Sequence, residues 1–197
     1  MHKLDWIQVH GGGKVRPLHL REQDIDISVI AHALSMQCRF GGHCLKFYSV
    51  AEHCVRASKI VHESDALWAL LHDASEAYLL DIPRPIKYMD EFYEYRQAEK
   101  RAMETICNHF KLPIDEPKGV KHADEVMLAT EARDLMQPLH PEWSEWLIVE
   151  PLIQHITPWH PEQAEHNFMV RFHELTKKPE ARPEVDEMTR ILRSGCD

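Results

Sequence analysis

No stretch of the sequence approaches the roughly 20 consecutive apolar residues that a membrane-spanning helix needs, and Met1 to Trp6 carry no apolar run resembling a signal peptide. The expected location is therefore the cytosol. Basic charge is also scarce: 23 Lys and Arg stand against 32 Asp and Glu, for a formal charge of -9. The positive stripe of a nucleic-acid-binding surface is missing, so neither a nucleic-acid polymer nor a membrane is an expected partner. The five cysteines, Cys38, Cys44, Cys54, Cys107 and Cys196, are odd in number and include no Cys-x-x-Cys pair. That excludes a disulfide framework and a zinc ribbon, and they read as reduced thiols. Internal repeats, low-complexity tracts and linker-like stretches are absent as well. The 197 residues, 44% of them apolar, fit one domain (1–197) with a core of its own.

What is present is a series of helical patterns punctuated by glycine and proline. Alternating apolar residues around Gly11-Gly12-Gly13 predict a short N-terminal hairpin or extended arm. With Asp24 as N-cap, Ile27, Ile30, Ala31 and Leu34 recur at helical spacing and predict a first helix that ends before Gly41-Gly42. Ser49-Val50-Ala51-Glu52 has the Ser-x-x-Glu capping-box pattern and starts a second, running to about His62. Ser64-Asp65 can cap a third, in which Leu67, Leu70, Leu71, Ala74, Ala77 and Tyr78 share a face until about Asp81, where Pro83 and Pro85 force a break. Further helices are predicted over Glu91 to Phe110, from Val120 towards Pro138, and over Glu162 to Lys177, with a polar tail helix after Pro179 and Pro183. The predicted fold class is all-α.

The third helix is the one that demands chemistry. His72 and Asp73 lie within or beside its buried face, and an unpaired buried carboxylate costs several kcal/mol. A divalent metal would compensate it. Consecutive helical residues point about 100° apart, so both can bind one ion only near the edge between their directions, and the remaining ligands must come from elsewhere. Glu76, at i+4 from His72 and i+3 from Asp73, sits over the same patch and is suited to acid or base work. His53 in the first turn of the second helix and Asp124 early in a later helix are candidate ligands, and Lys121 shares the face of Asp124. Arg84 and Lys87 follow the proline break, while the loop Gln37 to His43 offers a cation and a ring in Arg39-Phe40 beside two glycines. Taken singly, each of these is equally well read as a core, capping or solvated residue.

Taken together, Ser49-Val-Ala-Glu-His53, His72-Asp73-Ala-Ser-Glu76, Asp81-Ile-Pro-Arg-Pro-Ile-Lys87 and Val120-Lys-His-Ala-Asp124 resemble the HD-domain metal-dependent phosphohydrolases. The similarity is to the small-domain branch of 5'-deoxynucleotidases and phage dATP triphosphohydrolases, over roughly residues 37 to 136. The resemblance implies an HD-domain helical bundle in which His53, His72, Asp73 and Asp124 hold Zn, Co, Mn or Fe, with Mg at a second site. It gives Glu76 and Asp81 catalytic roles and makes Arg39, Phe40, Lys87 and Lys121 substrate contacts. Phe40 stands where the branch often has Trp. Three basic residues on separate segments favour a polyphosphate, so the expected activity is release of triphosphate from dATP, with a dNMP 5'-deoxynucleotidase as the alternative. A non-catalytic nucleotide-binding module is the reading from another class; it predicts loss of catalytic groups, against which Glu76 and Asp81 stand. The resemblance and the Trp-rich stretch after Glu142 also suggest a homo-oligomer, and phage kinship would place it in the host cytoplasm. The Gly-Tyr-Pro signature of HD-type cyclic-dinucleotide phosphodiesterases is missing.

Overall fold

The computed structural model describes residues 5–177, apart from the side chain of Ser144. Met1 to Leu4, the tail helix expected after Pro179 and Cys196 lie outside the described residues. The arm is a hairpin: β1 (Ile7–Gln8) pairs antiparallel with β2 (Lys14–Val15), Ile7 opposite Val15. Gly11 and Gly12 take φ of 78° and 86° in its turn, a conformation that only glycine adopts without strain. The α-helices among the described residues make the chain mostly helical, as the all-α expectation has it: α1 (Ile27–Met36), α2 (Val50–Ala57), α3 (Ala66–Leu71), α4 (Glu76–Leu79), α5 (Arg84–Lys87), α6 (Tyr93–Phe110), α7 (Lys118–Leu135) and α8 (Pro161–Thr176).

Local chemistry sets most of the boundaries. The N-cap of α1 is Asp26, whose carboxylate accepts from the Ser28 amide at 2.8 Å, rather than the expected Asp24. Asp24 is held by Arg21, which donates to it from both backbone and guanidinium. Ser49 caps α2 as expected, accepting from the Glu52 amide at 3.1 Å. The box is half-made, because Glu52 turns inward instead of reaching back, and α2 stops at Ala57 rather than near His62.

The largest departure is in the predicted third helix, which is two helices joined by a tighter turn. The His72 ring donates to the Ala69 carbonyl at 2.7 Å, the acceptor that the Asp73 amide would use in a continuous α-helix. The chain then winds with three-residue spacing: Ala74 donates to Leu71, and Glu76 to Asp73. Three residues per turn place Glu76 almost directly above Asp73.

α2 is the central element, packed against α1, α3, α7 and α8. Ile30, Leu34, Val55, Leu70, Leu71, Ile106 and Phe168 form the main core, all nearly or wholly buried. That core joins α2 to α3, and two smaller clusters hold α7 against them: Met127 and Leu135 with Ala57, and Val120 with Trp68 and Ala69. The candidate ligands lie on or directly after these elements. Cys54 and Cys107 are buried free thiols, whereas Cys38 and Cys44 are half-buried in the loop after α1.

Candidate metal centre

His53 is fully buried on α2, and its Nδ1 lies 2.6 Å from Oε1 of Glu131 on α7. Burial opposes ionisation of Glu131, but the Arg39 guanidinium and His53 outweigh it and hold the carboxyl below its usual range. An ionised carboxylate only accepts, so Nδ1 of His53 donates and Nε2 faces inward. His72 is oriented in the same manner by the Ala69 carbonyl, which leaves its Nε2 as a lone pair.

The two Nε2 atoms are 3.2 Å apart. His53 Nε2 is also 3.2 Å from Asp124 Oδ1 and 3.9 Å from Asp73 Oδ2, and His72 Nε2 is 3.4 Å from Asp73 Oδ2. Donors bound to one ion at about 2.0–2.2 Å lie roughly 3–3.6 Å apart, a spacing that every one of these pairs meets except His53 with Asp73. His53, His72 and Asp73 each offer a donor atom within 4.8 Å of the others.

Electrostatics lead to the same conclusion. Burial and Arg39 pull His53 towards neutrality, yet Glu131 and Asp124 prevail and push the imidazole up to about 9. Asp124 is held far below the carboxylate range, because its bond to His53 and the charges of His53, His72 and Arg39 overcome its own burial. The carboxylates that favour the charged imidazole favour any cation placed where the donors meet, which suits a divalent ion.

Glu76 occupies the next position. It is 8% exposed, and its carboxyl meets no hydrogen-bond or ion-pair partner among the described residues; its bonds are all through the backbone, the amide to Asp73 and the carbonyl from Leu80 and Gln37. Burial, then the charges of Asp73 and Asp81, push it well above the usual carboxylate range. It lines an open cleft of about 330 Å³ together with His72, Asp73, Asp124, Lys87, Glu99 and Glu116. Asp81 is exposed just past α4 and acts on Glu76 through its charge rather than by lining the cleft.

The expected substrate contacts are dispersed. Lys87 lines the cleft with its ammonium 2.5 Å from Glu99. Lys121 is exposed on α7, where its charge acts on Glu116. Arg39 donates to Glu131 at 3.1 Å and lies 3.5 Å from Asp73, a brace within the ligand network. Phe40, at φ 55°, stacks beside Arg39 and meets Trp143 edge-on with ring centroids 6.3 Å apart; neither Arg39 nor Phe40 is among the cleft-lining residues. Three carboxylates were not foreseen: Glu99, Glu116 and Glu131. Glu116 left no signal in its loop, but Glu131 did: it lies seven residues after Asp124, two helical turns along the same face of α7.

The chain is 39% identical to YfdR of Escherichia coli, an uncharacterised protein, over 162 residues that cover 80% of this chain and 88% of the relative. The chain belongs to the YfdR family. Another member, an uncharacterised protein of Rhodobacter capsulatus, is 32% identical over 146 residues, 68% of this chain and 74% of the relative. The family is distantly related to 5'-deoxynucleotidases: YfbR of Salmonella paratyphi B is 29% identical over 137 residues, covering 66% of this chain and 52% of the relative. The alignment with a Klebsiella pneumoniae 5'-deoxynucleotidase is likewise 29% identical and covers 48% of that protein. No family model matches the chain.

Proposed function

We propose that the protein is a metal-dependent phosphohydrolase that cleaves the phosphomonoester bond of deoxynucleoside 5'-monophosphates. The observation that carries this reading is the convergence of the His53, His72 and Asp73 donors, with Asp124 against His53, beside a cleft that His72, Asp73, Asp124 and the unpartnered carboxyl of Glu76 line. The distant 5'-deoxynucleotidases support the choice of substrate.

With a divalent ion bound by those four side chains, the chemistry available is polarisation of a phosphoryl oxygen and acidification of water near neutral pH. Glu131 and the Ala69 carbonyl hold the two imidazoles in the tautomer that presents Nε2. Glu76, its carboxyl unpartnered among the described residues, is free to exchange a proton with the attacking water or with the leaving sugar oxygen. Lys87 supplies cationic charge at the phosphate, steadied by Glu99.

The charge balance favours a monophosphate over the triphosphate expected from the sequence. That expectation counted Arg39, Lys87 and Lys121 as phosphate contacts, but Arg39 is neutralised by Glu131 and Asp73, and Lys87 by Glu99. Lys121 does not line the cleft, and the lining cations Lys87, Arg96 and Lys100 face five lining carboxyl groups, Asp73, Glu76, Glu99, Glu116 and Asp124, which leaves the extra charge of a triphosphate poorly compensated.

The test is product analysis by anion exchange after incubating Co- or Mn-loaded protein separately with dAMP, dGMP, dCMP, dTMP, AMP and dATP. Phosphate and nucleoside from the deoxynucleoside monophosphates, lost in Asp73→Ala together with bound metal, are expected. Triphosphate from dATP would move the protein to the triphosphohydrolases, and no product from any nucleotide would make it a binding module.

A further inference from the structure

Between Glu76 and α6 the chain makes a strap, Leu80–Met89, that carries Asp81 and Lys87 past the cleft. It begins with a backbone that its own residue opposes. Leu80 has φ 63° and ψ 159°, a region essentially reserved for glycine, and with its side chain 62% exposed, burial does little to hold it there. Something else must keep the strap in place.

Residues on α6 do so at successive points. The Tyr95 hydroxyl donates to the Leu80 carbonyl. Arg96 donates to the carbonyls of Lys87 at 2.6 Å and Met89 at 2.8 Å. Glu99 takes the Lys87 ammonium. Tyr95 and Glu99 are four residues apart on one face, with Arg96 beside them, so a rigid 18-residue helix holds both ends of a strap stiffened by Pro83 and Pro85. The Tyr95 ring is also within the fields of Glu99, Glu76 and Asp81, which with burial push its hydroxyl up.

We propose that Tyr95, Arg96 and Glu99 form a latch whose task is to hold the strap so that Lys87 lines the cleft and Asp81 stays near it, with Tyr95 stabilising the strained Leu80. They are positioning residues: their contacts are with the strap. The proposal rests on the phosphohydrolase reading for its catalytic consequence and on the fold alone for its mechanical one.

The mechanical part predicts a rescue. Tyr95→Phe removes one hydroxyl and should raise amide hydrogen exchange across residues 80–89 by about tenfold, the scale of one lost hydrogen bond. It should lower kcat/KM for the monophosphate substrate by a similar factor or more, since small misplacements of contacting groups are costly. Metal content and the unfolding midpoint should stay as in the unaltered protein. Adding Leu80→Gly gives the strap a residue that adopts φ 63° freely, and both exchange and kcat/KM should return towards the original values. A purely structural Tyr95 would not be rescued by a glycine at position 80. Unchanged exchange and kcat/KM in Tyr95→Phe, or a double variant as loose as the single one, would overturn the latch. If the unaltered protein hydrolyses none of the nucleotides, the functional reading fails, while the exchange measurements still decide for or against the latch.

Discussion

Glu52 and Glu131 are both wholly buried, and each is joined to an arginine, yet they hold different parts of the molecule. Glu52 receives Arg56 at 2.7 Å and the backbone amide of Trp159 at 2.7 Å, while Arg56 reaches the Thr157 carbonyl and covers the Trp159 ring. Its partners tie the segment entering α8 to α2. Glu131 receives Arg39 and the His53 imidazole, and its charge sets the direction in which His53 presents Nε2. Burial raises the pKa of Glu52 despite Trp159 and Arg56, whereas Arg39 and His53 keep Glu131 below its ordinary range. The same residue type, at the same burial, is a tether where its second partner is a backbone amide and an electrostatic support where that partner is a metal-ligating imidazole. Glu76 is a third case, a buried carboxyl with no partner at all.

Deleting either paired side chain is the strongest test of this contrast. Glu131→Ala and Glu52→Ala each take the carboxylate from a partly buried arginine and should cost about 1–3 kcal/mol in chemical denaturation. Only Glu131→Ala should also abolish metal binding in equilibrium dialysis; a metal-free Glu52→Ala would erase the distinction. Glu76→Gln should behave in the opposite sense. It removes an unpartnered acid, so the denaturation midpoint should not fall, while turnover of the monophosphate drops by about 10²-fold or more with metal retained. Unchanged turnover would remove Glu76 from the chemistry.

Isosteric changes sharpen the comparison at smaller amplitude. Glu131→Gln keeps the shape but not the charge behind His53, and metal affinity should weaken by roughly 10–100-fold, with Glu52→Gln close to unchanged. The smallest effect belongs to a second tether on the Glu52 side. Asp134 accepts from Arg133, the Ile156 amide and His155, and these bonds, Arg133 foremost, hold its carboxyl far below the ordinary 3.8. A depressed carboxylate pKa contributes stability that is fully present above 3.8 and is lost as pH falls through the folded value. The unfolding midpoint should therefore decline below about pH 4, and Asp134→Asn should flatten that decline. An equally steep acid limb in Asp134→Asn would place the loss elsewhere.

The elements of the fold were largely readable because their signals are local. The Ser49 cap, the turn around Gly11 and Gly12, and the apolar spacing of α6 and α8 each act within a few residues, and the structure realises them within about two positions. The break at His72 was not readable from spacing, because it depends on a ring that takes the Ala69 carbonyl from the backbone. For the candidate centre, residue types and order pointed to His53, His72, Asp73 and Asp124; the structure groups donor atoms of His53, His72 and Asp73 and sets Asp124 against His53. Arg39 shows the limit of that reading: sequence marks a loop cation, and only packing discloses that two carboxylates engage it from within.

The sequence by itself determined which segments are helical, where proline and glycine end them, and which side chains can act as metal donors or acids, since propensity and donor chemistry are carried by single residues and their near neighbours. Tertiary structure decided which charges are neutralised, which carboxyl stays unpartnered and which strained backbone is held. Those properties depend on Arg39 meeting Glu131 across 92 positions and on Tyr95 meeting Leu80 across 15. Distances of that kind are set by the packing of α2, α3, α6 and α7, and no local pattern encodes them.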